Sequence, residues 1–174
     1  MKTTLLFALL TLTFMGIFYA CTKGSAENGS TTTFKVNLTD NPLAAQEVNI
    51  DLKEVRVNFK EGSDEWSVLP TNSGIYNLLD FRNGVDTTIA TGSITANEVR
   101  EIRLVLGTNN SIRINDMVHP LTIPSGSETG LKIKLGQSLR KGMEQEVTID
   151  FDAALSVHQT ENGTYILKPV LKLK

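Results

Sequence analysis

The chain has 174 residues, with 17 basic and 19 acidic side chains, a formal net charge of −2, two histidines and one cysteine. A weakly acidic chain without a basic cluster argues against nucleic acid as partner, since phosphate binding draws on clustered Lys and Arg. One cysteine rules out an internal disulfide, and two separated histidines leave a zinc site short of its three or four protein ligands.

Lys2 precedes an apolar run from Leu5 to Phe18, which ends in Tyr19-Ala20-Cys21 and an abrupt change to polar residues. Residues 1–20 have the layout of a secretory signal peptide. The run is shorter than the roughly 20 residues that span a bilayer as a helix, and Thr and Gly interrupt it. Cys21, directly after a small residue, resembles the lipobox of bacterial lipoproteins. That resemblance implies cleavage between Ala20 and Cys21, a diacylglycerol on the thiol and an acylated amino group. Each buried methylene contributes about 0.8 kcal/mol, so several acyl chains together anchor a protein durably where one does not. The expected address is the bacterial cell envelope, at the outer membrane, with the membrane as partner through the lipid. Removing residues 1–20 takes away Lys2 and no acid, which leaves a net charge near −3.

Residues 22–33 hold no apolar residue larger than Ala, so 21–33 reads as a lipidated cysteine and flexible tether. The remaining 34–174 is long enough for one domain with its own core. Phe34, Val36 and Leu38 alternate with polar residues and predict a strand with one buried face. Val48, Ile50 and Leu52 do the same, but Val55, Val57 and Phe59 continue on the opposite parity. A break at Lys53-Glu54 therefore predicts a β-bulge or bend. Trp66–Leu69 predicts a short strand, whereas Ile75–Phe81, with adjacent Leu78 and Leu79, fits either a strand buried on both faces or one helical turn. Val99–Leu106 and Ser111–Ile114 follow as strands, and Met117–Ile123, interrupted by Pro120, suits an edge strand or a kinked connection. Leu131–Leu135, Val147–Phe151 and Tyr165–Leu173 complete the series, each bounded by Gly, Asn, Asp or Pro. Many short strands without a long helical period predict an all-β domain, an antiparallel sandwich or barrel.

Seven short motifs in a fixed order carry a family resemblance: Leu38-Thr39-Asp40-Asn41-Pro42, Lys53-Glu54-Val55-Arg56-Val57, Asn77-Leu78-Leu79-Asp80, Ile102-Arg103-Leu104-Val105-Leu106-Gly107, Pro124-Ser125-Gly126-Ser127-Glu128-Thr129-Gly130-Leu131-Lys132, Asp150-Phe151-Asp152-Ala153 and Tyr165-Ile166-Leu167-Lys168-Pro169-Val170. From about Phe34 onward the chain resembles the bacterial lipoprotein family of domain of unknown function 4382. The resemblance implies an antiparallel β-sandwich of prealbumin-like or immunoglobulin-like type and no established activity. Where the family often has Gly and an aromatic before the Ile-Arg-Leu strand, this chain has Asn97-Glu98-Val99; Asn tolerates a left-handed turn.

Candidate chemistry is sparse. Asp150 and Asp152 fall on one face of a strand, about 7 Å apart at the strand rise, a spacing that could serve calcium or a glycosidase pair. A solvated face, or an Asp bonded to a nearby turn, is the plainer reading. Asp40, in Asp40-Asn41-Pro42, could add an oxygen ligand, although its ordinary role is to bond backbone two residues on. Ser125, Ser127 and Glu128 lack a nucleophile-elbow pattern, and Gly126–Gly130 lacks the Lys of a phosphate loop. Trp66, Tyr76 and Tyr165 could stack on sugars if exposed, but Trp66 is spaced with Val68 for burial inside the sandwich. Asp86-Thr87-Thr88 resembles a short O-glycosylation pattern of some bacteria, and otherwise reads as a polar loop.

No catalytic residue, metal or cofactor is expected. The sequence therefore points to a lipid-anchored, non-enzymatic envelope module that binds a glycan or an envelope protein. An envelope-polymer hydrolase working through Asp150 and Asp152, and a surface-fibre subunit, are the alternatives.

Overall fold

The computed structural model describes residues 31–40, 43–60, 64–124 and 130–174. The expected signal peptide, Cys21 and most of the expected tether lie outside the described residues, as do Ser125, Ser127 and Glu128.

In chain order the strands are β1 Thr32–Thr39, β2 Glu47–Asn58, β3 Ser67–Leu69, β4 Gly74–Asn77, β5 Thr87–Ile94, β6 Glu98–Leu106, β7 Ser111–Ile114, β8 Met117–Thr122, β9 Leu131–Ser138, β10 Glu144–Phe151, β11 Val157–Gln159, β12 Tyr165–Leu167 and β13 Leu171–Leu173. A 3-10 turn, Leu78–Phe81, follows β4, and a one-turn helix α1, Ala153–Ser156, follows β10. A four-stranded sheet of order β13-β10-β1-β5 packs against a nine-stranded sheet of order β11-β12-β8-β7-β2-β6-β9, in which β3 and β4 also pair with β2. The fold is an all-β sandwich with no closed barrel.

Period-two alternation builds the core from both inner faces. Phe34, Val36 and Leu38 of β1 and Ile149 and Phe151 of β10 meet Val48, Ile50, Val55 and Val57 of β2 and Ile102 and Leu104 of β6, all buried. The parity change in β2 is a bulge: its register against β6 shifts between Leu52 and Glu54, which keeps Leu52 and Val55 both inward.

Several expectations change in detail. Strand β1 starts before Phe34: Thr32 is fully buried and its hydroxyl donates to the Arg140 carbonyl at 3.0 Å. The pairing is mixed rather than purely antiparallel, because β1 runs parallel to β10 and β12 parallel to β8. Ile75–Phe81 turns out to be both things considered, a strand to Asn77 and then a 3-10 turn capped by the Asn77 side chain. Strand β8 is internal, not an edge. The Leu121 N–H donates toward Asn110, so at Pro120 the missing N–H falls on the opposite side, where pairing with β12 begins only at Leu121.

The expected strand Tyr165–Leu173 divides between the sheets: β12 joins the large one and β13 the small one, with Lys168-Pro169-Val170 as the crossover. Strand β5 is additional. Its Ile89, Ala90 and Ile94 are buried, yet Thr, Gly and Ser between them blur the period.

Candidate functional site

The three acids singled out in the sequence end up together at the end of the sandwich where β1 and β10 finish. Thr39 pairs with Asp150 in the parallel ladder, which places Asp40 beside the Phe151-Asp152 step. Asp40, Asp150 and Asp152 are all buried, at 2%, 7% and 4% exposure, so the solvated strand face expected for Asp150 and Asp152 is absent. The reason is position. β10 is an inner strand of its sheet, and its end is closed over by α1 and by the crossover into β13.

The bonds made there are mostly to backbone. Asp40 Oδ1 accepts from the Ala153 N–H at 2.8 Å, a partner 113 positions away rather than two residues on. Asp152 caps α1 by accepting from the Leu155 N–H at 3.1 Å, while its Oδ2 takes Lys172 Nζ at 2.7 Å. Ser156 Oγ donates to the Asp152 carbonyl at 2.6 Å and accepts from the Val170 N–H at 2.8 Å. Side-chain bonding to Asp152 raises the Lys172 pKa above its ordinary value, against the opposing effect of desolvation. The network ties three chain segments into one joint. Among the described residues no group of three or more His, Cys, Asp or Glu side chains is arranged to hold a metal ion.

The remaining candidates are scattered. His119 packs against Tyr165 with ring centroids 5.0 Å apart and planes tilted by 51°, and His158 is exposed on β11. Tyr76 donates to the Asn72 carbonyl and packs 6.2 Å from Phe81. Thr87 and Thr88 lie in β5 instead of a loop, and the Thr88 hydroxyl donates to Asn37 Oδ1 at 2.9 Å.

A second cluster lies on the outer face of the large sheet, and the sequence reading missed it. Ile102 and Leu104 point into the core, so Arg103 between them points out. Cross-strand register aligns Val68, Arg56, Arg103 and Lys132 in one row over β3, β2, β6 and β9. Trp66 shares parity with Val68, as expected, but that parity is outward, because Leu69 is the residue that turns into the core against Val55. Trp66 is half-buried, with the Arg103 guanidinium carbon 4.0 Å and Lys132 Nζ 5.6 Å from its ring centroid.

Gly130, at φ +70°, lies over the Arg103 stem: a β-carbon there would come within 2.5 Å of Arg103 Cγ. The Arg103 side chain is thus held between Gly130 and the indole. Arg56 is neutralised by Glu54 at 2.6 Å. Among the described residues neither Arg103 nor Lys132 has a carboxylate at ion-pair distance, and the buried Arg103 Nε and Trp66 Nε1 have no acceptor. No signal in the linear pattern announces this cluster, since its members come from three separate segments.

Among the described residues no helix is long and apolar enough to cross a membrane. No curated protein and no solved structure matches the chain. The family model described as domain of unknown function (DUF4382) matches residues 31–169, nearly the whole sandwich, and the chain belongs to that family.

Proposed function

We propose that this chain is a lipid-anchored, non-enzymatic module of the bacterial cell envelope, held at the outer membrane through Cys21 and binding an envelope glycan or protein. The observation that carries the reading is the order Lys2, apolar Leu5–Phe18, Tyr19-Ala20-Cys21 and a polar segment leading into a β-sandwich. The domain is then a tethered recognition unit, with its outer sheet faces turned to the surroundings.

The acids favour structural work in this reading. A hydrolytic pair needs one carboxyl free to hold a proton and a cleft in which to use it. Asp40 and Asp152 instead accept backbone N–H groups, and Asp152 also pairs with Lys172.

The test is Cys21→Ser expressed in the native host. The variant is expected to lose its membrane fractionation, or to stay uncut, together with the mass of the acyl chains. Unchanged fractionation and mass would overturn the anchor. Ester and glycoside substrates turned over by the wild type but not by Asp152→Asn would replace the binding module with a hydrolase.

A further inference from the structure

We infer that the outer-face cluster of Trp66, Arg103 and Lys132 is a binding site for an acidic saccharide, one whose sugar ring carries a carboxylate. The inference rests on the reading of the chain as a binding module and assigns it a ligand class and a place.

The argument starts from charge. Arg103 and Lys132 are direct cross-strand neighbours on a face of the sheet that is not covered by the sandwich, and like charges placed opposite each other repel. Both gather around one indole, and no acid of the described chain pairs with either. Glu54 is engaged with Arg56, and Glu101, two residues before Arg103 on the same face, is 9% exposed and faces the Lys134 position. Among the described residues the row therefore keeps two cations without a counter-charge.

Geometry then selects the kind of anion. A guanidinium presents a planar fork that suits a carboxylate, and Gly130 and Trp66 fix that fork by closing on the two sides of its stem and head. Fixing the side chain beforehand lowers the ordering cost of binding. Trp66 remains partly open to solvent and supplies an aromatic surface for the C–H side of a sugar ring. Glu101 offers an acceptor for a hydroxyl on the same face. A bare inorganic anion would use the cations and leave the indole and the carboxylate idle; a carboxylated pyranose uses all of them.

Trp66 is the one tryptophan of the chain, so its emission reports this site alone. Full-length protein in neutral detergent is titrated with trigalacturonate, with neutral galactotriose and with inorganic triphosphate. The expected result is a saturable change of emission with trigalacturonate, at least about tenfold weaker with the other two, since losing a charge-assisted hydrogen bond of about 1.4 kcal/mol is a factor of ten. Lys132 is exposed, so Lys132→Gln leaves the fold intact and is expected to weaken trigalacturonate binding by a similar factor, as is Arg103→Gln, whose melting curve should stay cooperative.

Absence of a saturable change with trigalacturonate overturns the site, and so does a change that survives both substitutions. An equal response to triphosphate overturns the saccharide and leaves only an anion patch. None of these outcomes depends on Cys21, so failure here and failure of the anchor are separate results.

Discussion

The joint at the ends of β1 and β10 and the row on the outer face of the large sheet both gather charged side chains, and they treat them in opposite ways. In the joint, polar groups close on others from the same chain: Asp40 on Ala153, Asp152 on Leu155 and Lys172, Ser156 on Val170. On the outer face, Arg103 and Lys132 face an aromatic ring, with no acid of the described residues at ion-pair distance. A charge satisfied within the chain contributes to the fold, whereas an unsatisfied one is available to a partner. Acidic residues that attract notice in a sequence are here bonded within the fold, and an unremarkable Arg in an Ile-Arg-Leu strand has no acid of the described residues at ion-pair distance.

The contrast can be tested against the core that separates the two regions. Phe151→Ala empties a fully buried site between the sheets and is expected to cost about 3–5 kcal/mol, read from the urea midpoint. If the joint is scaffold, Asp152→Ala comes next, at about 1–3 kcal/mol, because it uncaps α1 and leaves the part-buried Leu155 N–H and Lys172 without their carboxylate. A loss below about 0.5 kcal/mol would remove Asp152 from the scaffold. Arg103→Gln should be the mildest of the three, within about 1 kcal/mol, since a half-buried cation–π contact on the outer face contributes about that much. A larger cost would make the outer row scaffold too and erase the distinction.

Alkaline pH gives the smallest effect, and it belongs to the joint. The Lys172 pKa is raised in the folded chain by bonding to Asp152, and the Lys35 pKa by bonding to Glu144. A group whose folded pKa lies above its unfolded value adds stability that is complete below the unfolded value and is lost as pH rises through the folded one. Tyr76, raised by burial, acts with the same sign. The urea midpoint should therefore fall as pH is taken above 10.5, and Lys172→Met should reduce that fall. An identical pH profile in the variant would show that the Lys172 contact contributes nothing.

How much of this was legible follows from what is local and what is not. The strands with clean alternation, such as Phe34-Val36-Leu38, and the bulge announced by the parity change after Leu52 could be read directly, because side-chain period and register are local. Strand β5 could not, since Thr87–Ile94 carries its buried residues unevenly and owes its place to pairing with β1. Nor could the change of sheet at Pro169, where one apolar run serves two layers. The face of Trp66 was a question of sign: period two groups it with Val68, but only the pairing of Leu69 with Val55 decides which group points inward. Asp40 and Asp152 were visible as residues, while their shared helix start depends on the parallel pairing of strands more than a hundred residues apart.

That parallel pairing also has a mechanical meaning. The chain enters the domain at Thr31 and runs at once into β1, which is flanked along its length by β10 on one side and β5 on the other. A pull on the preceding segment is directed along the strand axis. It therefore loads both hydrogen-bond ladders in shear, where the bonds share the force, instead of peeling them open one after another as a pull across an edge strand would. The Thr32 hydroxyl and the Thr31 carbonyl add clamps at the point of entry, on Arg140 and Gly142. The domain is consequently strongest against traction applied along β1 from its first residue.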